Sequence, residues 1–253
     1  MSMISQKLET GIKRLDDILY GGFPLRSNVM IYGPPFIGKE WLIVRFLARG
    51  LELGEPAVVV LTNEGADEFR ETLSSVIRAP NVELEALEEE GLVKYVDAYT
   101  RIVGDHSTLP GVYYVESFSN MAEVLRLVDS AIREVSIFKK PIRFGFISVS
   151  TLVVNISPQA AFRLAYMIAG RVKRSMATGL YALDSGMHSE SEVSTFLHLM
   201  DGIVEFKEEF EPSHKTFLRI LGLGQVKSRN WIEYVFDGNE LRITGSIAMG
   251  RIF

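Results

Sequence analysis

The segment Gly33-Pro34-Pro35-Phe36-Ile37-Gly38-Lys39-Glu40 holds two glycines five residues apart, the second followed at once by a lysine. That is most of the pattern G-x-x-x-x-G-K-[ST], in which backbone N–H groups of a tight turn and a lysine hold phosphate oxygens at a helix N-terminus. All eight residues are therefore candidate phosphate contacts. The pattern ordinarily ends on a hydroxyl that helps hold magnesium, and here Glu40 stands in that place. A carboxylate beside a triphosphate brings repulsion of roughly 4 kcal/mol per charge pair at about 4 Å and an effective dielectric near 20, unless a metal lies between them. Glu40 is thus either a direct metal ligand or an acid that complements the dipole of a helix's first turn.

Such a turn needs a strand before it and a helix after it. "SNVMIY", over residues 27–32, reads as the strand, and Trp41, Val44, Leu47, Ala48 and Leu51 recur at helical spacing beyond the loop. A second strand over 57–61 and a charged helix from Ala66 give the order strand, loop, helix, strand, which predicts a parallel sheet, since a right-handed helical crossover is the usual way to join parallel neighbours. "NVELEALEEEG" predicts an acidic amphipathic helix over 81–90 whose carboxylates form a solvated face. "LVKYVDAYT", "VYYVES", "IRFGFIS" and "GLYALDS" read as strands, and residues 121–137 and 160–176 as helices. The uncharged stretch 144–162 is broken by Asn155, Pro158 and Gln159, so it reads as a buried strand, a loop and the start of a helix rather than a membrane span. From about 203 to 245, short alternating runs separated by turns such as Asp237-Gly238-Asn239 predict an antiparallel meander. The fold class is α/β: a twisted, mostly parallel sheet between helices, one domain over 1–253, with a core to about residue 205.

Composition narrows the function. With 253 residues, 47% hydrophobic and 23% charged, the chain can bury a full core. A formal net charge of −5 leaves no global basic field for a polyanion, which argues against nucleic acid. The absence of cysteine excludes disulfides and thiolate metal sites, and the four histidines show no ligand spacing. Residues 1–7 lack the apolar run of a signal peptide, so the cytoplasm is the expected location, with no membrane association.

The opening "TGIKRLDDILYGGFPLRSNVMIYGPPFIGKE" resembles that of the KaiC and RadA-like branch of the RecA superfamily. Those proteins begin T-G-x-x-x-L-D-x-x-L-x-G-G-x-P, then a strand, then G-x-P-G-T-G-K-[ST]. Thr10, Gly11, Leu15, Asp16, Leu19, Gly21, Gly22 and Pro24 fall on that pattern. The resemblance implies a RecA-type P-loop fold, ATP with magnesium as ligand, assembly into rings or filaments with ATP at subunit boundaries, and an archaeal source. Four parts of the family's chemistry depart from its pattern. Phe36 and Ile37 replace a glycine and a threonine of the loop, where bulky side chains resist the backbone approach that glycine permits. The metal-orienting aspartate that ends an apolar strand falls on Ile147 or, one register on, on Ser148. Of the paired glutamates that orient water, the first falls on Asn63, which cannot take a proton, and the second on Glu64, which is either the remaining catalytic candidate or a turn carboxylate. The Lys-x-Arg finger after "LRIL" falls on Gly222 and Gly224; Lys227 and Arg229 serve only if the register differs. Such a finger contributes about 10³–10⁵ in rate.

These departures lead to the expectation of a catalytically impaired or inactive paralogue that binds ATP or ADP weakly, depends little on magnesium, and acts as a regulatory or scaffold protein through self-association or a protein partner. The alternative is an ATPase whose Glu40 and Glu64 handle metal and water, with a recombination-related role. A third reading is DNA handling, for which the sequence offers Arg163, Arg171, Lys173 and Arg174 along one helix against an acidic "LDSGMHSESEVSTF".

Overall fold

The computed structural model describes residues 6–211, 213–223, 226 and 229–245. In chain order the elements are β1 (Lys7–Leu8), α1 (Lys13–Ile18), β2 (Phe23–Pro24), β3 (Asn28–Gly33), α2 (Lys39–Glu52), β4 (Ala57–Leu61), α3 (Ala66–Val76), α4 (Leu84–Glu89), β5 (Val93–Asp97) and β6 (Val112–Tyr114). There follow α5 (Met121–Val135), β7 (Ile142–Phe146), α6 (Val149–Asn155), α7 (Pro158–Arg174), β8 (Ala177–Asp184), α8 (Glu190–His198), β9 (Gly202–Glu209), β10 (Lys215–Leu221), β11 (Ile232–Phe236) and β12 (Leu241–Ile243).

Ten strands form one sheet in the order β12-β11-β10-β9-β3-β8-β7-β4-β5-β6, and β1 pairs with β2 in a separate ribbon. From β9 to β6 every neighbouring pair is parallel, whereas β9-β10-β11-β12 are antiparallel. The α/β expectation with a closing meander holds, with β9 shared between the two halves. The central strands are buried throughout, as helices on both faces of a parallel sheet require, and "AVVVL" and "IRFGF" accordingly show no alternation. One apolar layer gathers Leu42, Phe46 and Leu47 of α2, Phe69 of α3 and Leu84 of α4; the other gathers Val128 of α5, Leu152 of α6, and Leu164 and Ile168 of α7.

The chain leaves β3, crosses over β8 and β7, and pairs β4 beyond them. The carboxyl ends of β3, β8, β7 and β4 therefore lie side by side, where ligands of open α/β sheets bind. Local signals set the helix starts around that edge. Ser157 caps α7 with Pro158 in its first turn, and Ser189 and Glu192 form a reciprocal capping box at α8.

The stretch 144–162 departs from its reading: the expected loop is α6, seven residues capped by the Ser148 side chain. The acidic helix is shorter than expected, Leu84–Glu89 within 81–90, with Leu84 buried and Glu83 and Glu85 exposed. Among the described residues no helix is long and apolar enough to cross a membrane.

Candidate functional site

β3 ends at Gly33, and the loop turns into α2 through Phe36 and Gly38, both in the left-handed region at φ +63° and +85°. No side chain caps α2, whose first turn carries Lys39 and Glu40. The loop therefore keeps the backbone form that lets a helix N-terminus meet an anion. Phe36 does not fill it: its side chain is 98% exposed. A left-handed backbone at a non-glycine residue costs roughly 1–2 kcal/mol, a strain that only a surrounding framework sustains.

That framework comes from the far end of the chain. The Tyr234 hydroxyl on β11 donates to the Ile37 carbonyl at 2.7 Å, and the Phe236 ring lies against Gly38 and near Trp41, with ring centroids 6.4 Å apart in the second case. A Cβ on Gly38 would sit 2.5 Å from that ring, so glycine is required there by space as well as by φ. Ile37 turns inward into the core.

Lys39 is fully buried, and its ammonium group is held by two carboxylates of the same chain. It donates to Glu40 Oε1 and, at 2.6 Å, to Asp184 Oδ1. The parallel register brings Asp184 there, since Gly33 of β3 stands opposite Asp184 of β8. Two further bonds fix the position: Asp184 N–H donates to Ser150 Oγ at 2.8 Å, and Ser185 N–H to the Gly33 carbonyl at 2.8 Å. Ile147 is buried and apolar, and Ser148 serves as N-cap of α6, accepting from Thr151 N–H at 3.1 Å. The carboxylate sought at the end of β7 is instead supplied at the end of the next strand, β8.

Glu64, just past β4, is partly buried, and burial together with the charges of Glu68 and Glu40 pushes its carboxyl up to about 7. Asn63 is exposed. At the mouth of the loop Glu40 and Asp184 hold the lysine, and Glu64 lies close enough to Glu40 to feel its charge. Among the described residues no group of three or more His, Asp or Glu side chains is placed to hold a metal ion.

Gly222 is exposed at φ +78°, and a side chain there would start 2.9 Å from the Asp201 carbonyl. A lysine at that place is disfavoured by the turn itself. Arg229 is exposed, while Gly224 and Lys227 lie outside the described residues. Residues that the motif reading missed are Asp184, Ser150, Tyr234 and Phe236. For Asp184 a signal existed, a carboxylate closing the apolar run "GLYALD", but the register that delivers it to Lys39 is a long-range property.

Comparison with known proteins matches the same span. The family model described as the KaiC ATPase matches residues 8–233. A UPF0273 protein of Pyrococcus furiosus is 31% identical over 150 residues, 59% of this chain and 57% of that one. A UPF0273 protein of Methanocaldococcus jannaschii is 27% identical over 201 residues, 79% of each chain. The circadian clock oscillator protein KaiC of Rippkaea orientalis is 26% identical over 219 residues, 83% of this chain but 37% of that protein. The chain spans between a half and two thirds of the length of the first curated relatives it matches. Among solved structures, a KaiC-like protein of the archaeon Pyrococcus horikoshii superposes with a TM-score of 0.73 over 95% of this chain and 99% of that one, at 17% identity, which speaks to the fold alone.

Proposed function

The chain belongs to the KaiC ATPase family, and from that premise we propose that it is a member whose phosphate loop is closed by its own carboxylates, acting by binding rather than by turnover. The observation that carries this reading is the buried Lys39 held between Glu40 and Asp184. In a loop of this kind the lysine's charge serves the outer phosphates, whereas here it is neutralised before any ligand arrives. An incoming phosphate must detach Lys39 from two carboxylates and then remain beside them. The hydroxyl that a magnesium ion would use is replaced by Glu40, and both Glu40 and Asp184 are already engaged with the ammonium group. The residues present do not fit a magnesium–nucleotide complex, although the uncapped start of α2 still suits an anion. ATP or ADP is accordingly a weak ligand, bound with little dependence on magnesium, and the protein serves as a regulatory or scaffold member of its family.

One observation favours a second reading, an ATPase with rearranged ligands. A carboxyl group titrating near 7 has the proton affinity of a general base, and Glu64 sits close enough to Glu40 to feel its charge. Calorimetry of the unmodified protein with ATP, with and without magnesium, paired with phosphate release, separates the two. The binding reading expects weak, magnesium-insensitive heat and no release. Tight magnesium-dependent binding with turnover, both lost in Glu40→Thr, establishes the ATPase reading instead.

A further inference from the structure

The end of the sheet opposite the phosphate loop gathers cations and exposed apolar side chains that the loop does not use. In the register of the parallel strands Ile142 of β7 stands opposite Ala177 of β8, Arg143 opposite Ala57 of β4, and Asn28 of β3 opposite Gly179. The neighbours β3, β8, β7 and β4 thus begin within two residues of one level, and the turns that feed them lie side by side in a row. At about 4.8 Å per strand the row is roughly 14 Å long. Hydrogen bonds join neighbouring turns: Arg26 Nε donates to the Lys173 carbonyl at 3.0 Å, Ile142 N–H to the Met176 carbonyl at 3.4 Å, and Lys140 Nζ to the Leu53 carbonyl at 3.4 Å.

Each turn presents a cation, an apolar side chain or both. Ile137 is 72% exposed, Met176 47% and Leu53 43%, and Arg26, Lys139, Lys140 and Arg174 are exposed beside them. Arg26, Lys139 and Met176 hold left-handed backbone, at φ +63°, +53° and +61°. Glycine would make such turns without strain, so what the chain keeps at that cost is two cations and a methionine facing water. Two carboxylates at this end, Glu55 and Asp201, are taken by Arg143 and Lys173, whereas Arg26, Lys139, Lys140 and Arg174 form no ion pair among the described residues. On a chain of net charge −5 this is a local reversal of sign. We propose that this end of the sheet is a peripheral docking surface for an anionic lipid bilayer. A level row suits a planar partner, and cations alternating with apolar tips suit one that is charged at its surface and apolar just beneath. Ile137, Met176 and Leu53 would enter the boundary between headgroups and acyl chains, while the lysine and arginine stems lie along it and their charges reach phosphate. The aromatic ring of these turns, Phe138, is half-buried against the core, so it offers no platform for stacked bases. The expectation of no membrane association rested on the lack of a leader and of a spanning run; residues drawn from four separate turns leave no such trace in the sequence. The surface lies at the far end of the strands from Lys39, so it stands independently of the function proposed above.

Cosedimentation of the full chain with vesicles tests it. The protein is expected to bind vesicles of phosphatidylglycerol and phosphatidylcholine in equal parts, to ignore vesicles of phosphatidylcholine alone, and to be released as salt screens the surface. Each cation near such a surface contributes about fivefold, so Lys139→Gln with Lys140→Gln is expected to lower binding by about 25-fold at an unchanged urea midpoint. Ile137→Ser keeps every charge and is expected to lower binding severalfold. Ile137→Trp is expected to bind as the unmodified protein does, with its emission moving to the blue on adding the anionic vesicles, beyond any shift of the unmodified protein. Failure to bind the anionic vesicles overturns the proposal, as does binding that neither the lysine variant nor Ile137→Ser weakens. So does equal retention on a DNA duplex that the lysine variant weakens and Ile137→Ser does not, with no blue shift in Ile137→Trp, since that outcome assigns the surface to nucleic acid.

Discussion

In the function proposed above a single lysine decides what the loop can bind, and the two carboxylates that hold it differ in how they reach it. Asp184 reaches Lys39 through a register fixed across β3 and β8, whereas Glu40 is its neighbour in sequence and partly exposed. Asp184→Asn should therefore cost stability, about 2 kcal/mol as the loss of a charge-assisted hydrogen bond to a buried group, read as a lower denaturation midpoint. Glu40→Thr should cost less, because its side chain meets solvent. Both changes should strengthen ATP binding, by roughly tenfold per carboxylate removed, and the double variant most of all. Calorimetry that finds unchanged affinity in the double variant defeats the idea that these groups close the site. Glu64 yields a prediction in pH. Its carboxyl is raised from 4.5 to about 7 in the folded protein, so the native state holds the proton more tightly than the unfolded chain. The favourable contribution is present at low pH, is lost as pH rises between about 4.5 and 7, and then levels off, for a total of up to about 3 kcal/mol. Urea midpoints of the unmodified protein should fall across that window, and Glu64→Gln should flatten the curve.

Among the elements, those with strong local signals were legible in the sequence and those defined by partners were not. The run "SNVMIY" and the apolar spacing from Trp41 to Leu51 foretell β3 and α2, and "GLYALDS" foretells β8, because burial on both faces leaves continuous apolar letters. Within 144–162, however, Ser148 caps the short helix α6, and the reading as a loop weighted the polar letters over that cap. The meander from 203 to 245 could be read as strands, but not its attachment to the loop through Tyr234 and Phe236. That attachment gives a coupled prediction. Gly38→Ala suffers twice, from φ +85° and from a Cβ 2.5 Å from the Phe236 ring. Phe236→Ala in the same chain removes the collision and leaves only the left-handed strain of roughly 1–2 kcal/mol, beside its own cavity cost. A thermal-unfolding double-mutant cycle should thus show clear non-additivity, the pair losing less than the sum. Strict additivity means that β11 does not brace the loop.

At the scale of the molecule, the N-terminal pattern that carries the family resemblance turns out to be an anchor for α2. Asp16 accepts from Thr10 N–H at 2.6 Å, and Gly22, at φ +114°, leaves room for the Leu8 carbonyl, which a Cβ would approach to 2.0 Å. The motif was legible as letters, but its purpose depends on Arg143, whose role no local window reveals. Fully buried on β7, Arg143 donates to Glu55 at 2.7 Å, to the Phe46 carbonyl of α2 at 2.8 Å and to the Glu9 carbonyl, and its guanidinium lies 4.5 Å from the Phe46 ring centre. Burial lowers its proton affinity, the mark of a charge kept inside at a cost. One side chain therefore ties the sheet, the N-terminal segment and the helix that presents the phosphate loop. Arg143→Met keeps much of the stem's volume but leaves Glu55 as a carboxylate without its partner, and should lower stability by about 3 kcal/mol, the low end for a broken buried pair because Glu55 retains some exposure. Adding Glu55→Gln removes the stranded charge and should return a large part of that loss, since a buried ion pair contributes little beyond its own desolvation. Denaturant midpoints at unchanged slope measure both steps. If the double variant is no better than Arg143→Met alone, the bonds to the Glu9 and Phe46 carbonyls, rather than the ion pair, are what hold the N-terminal segment against the helix.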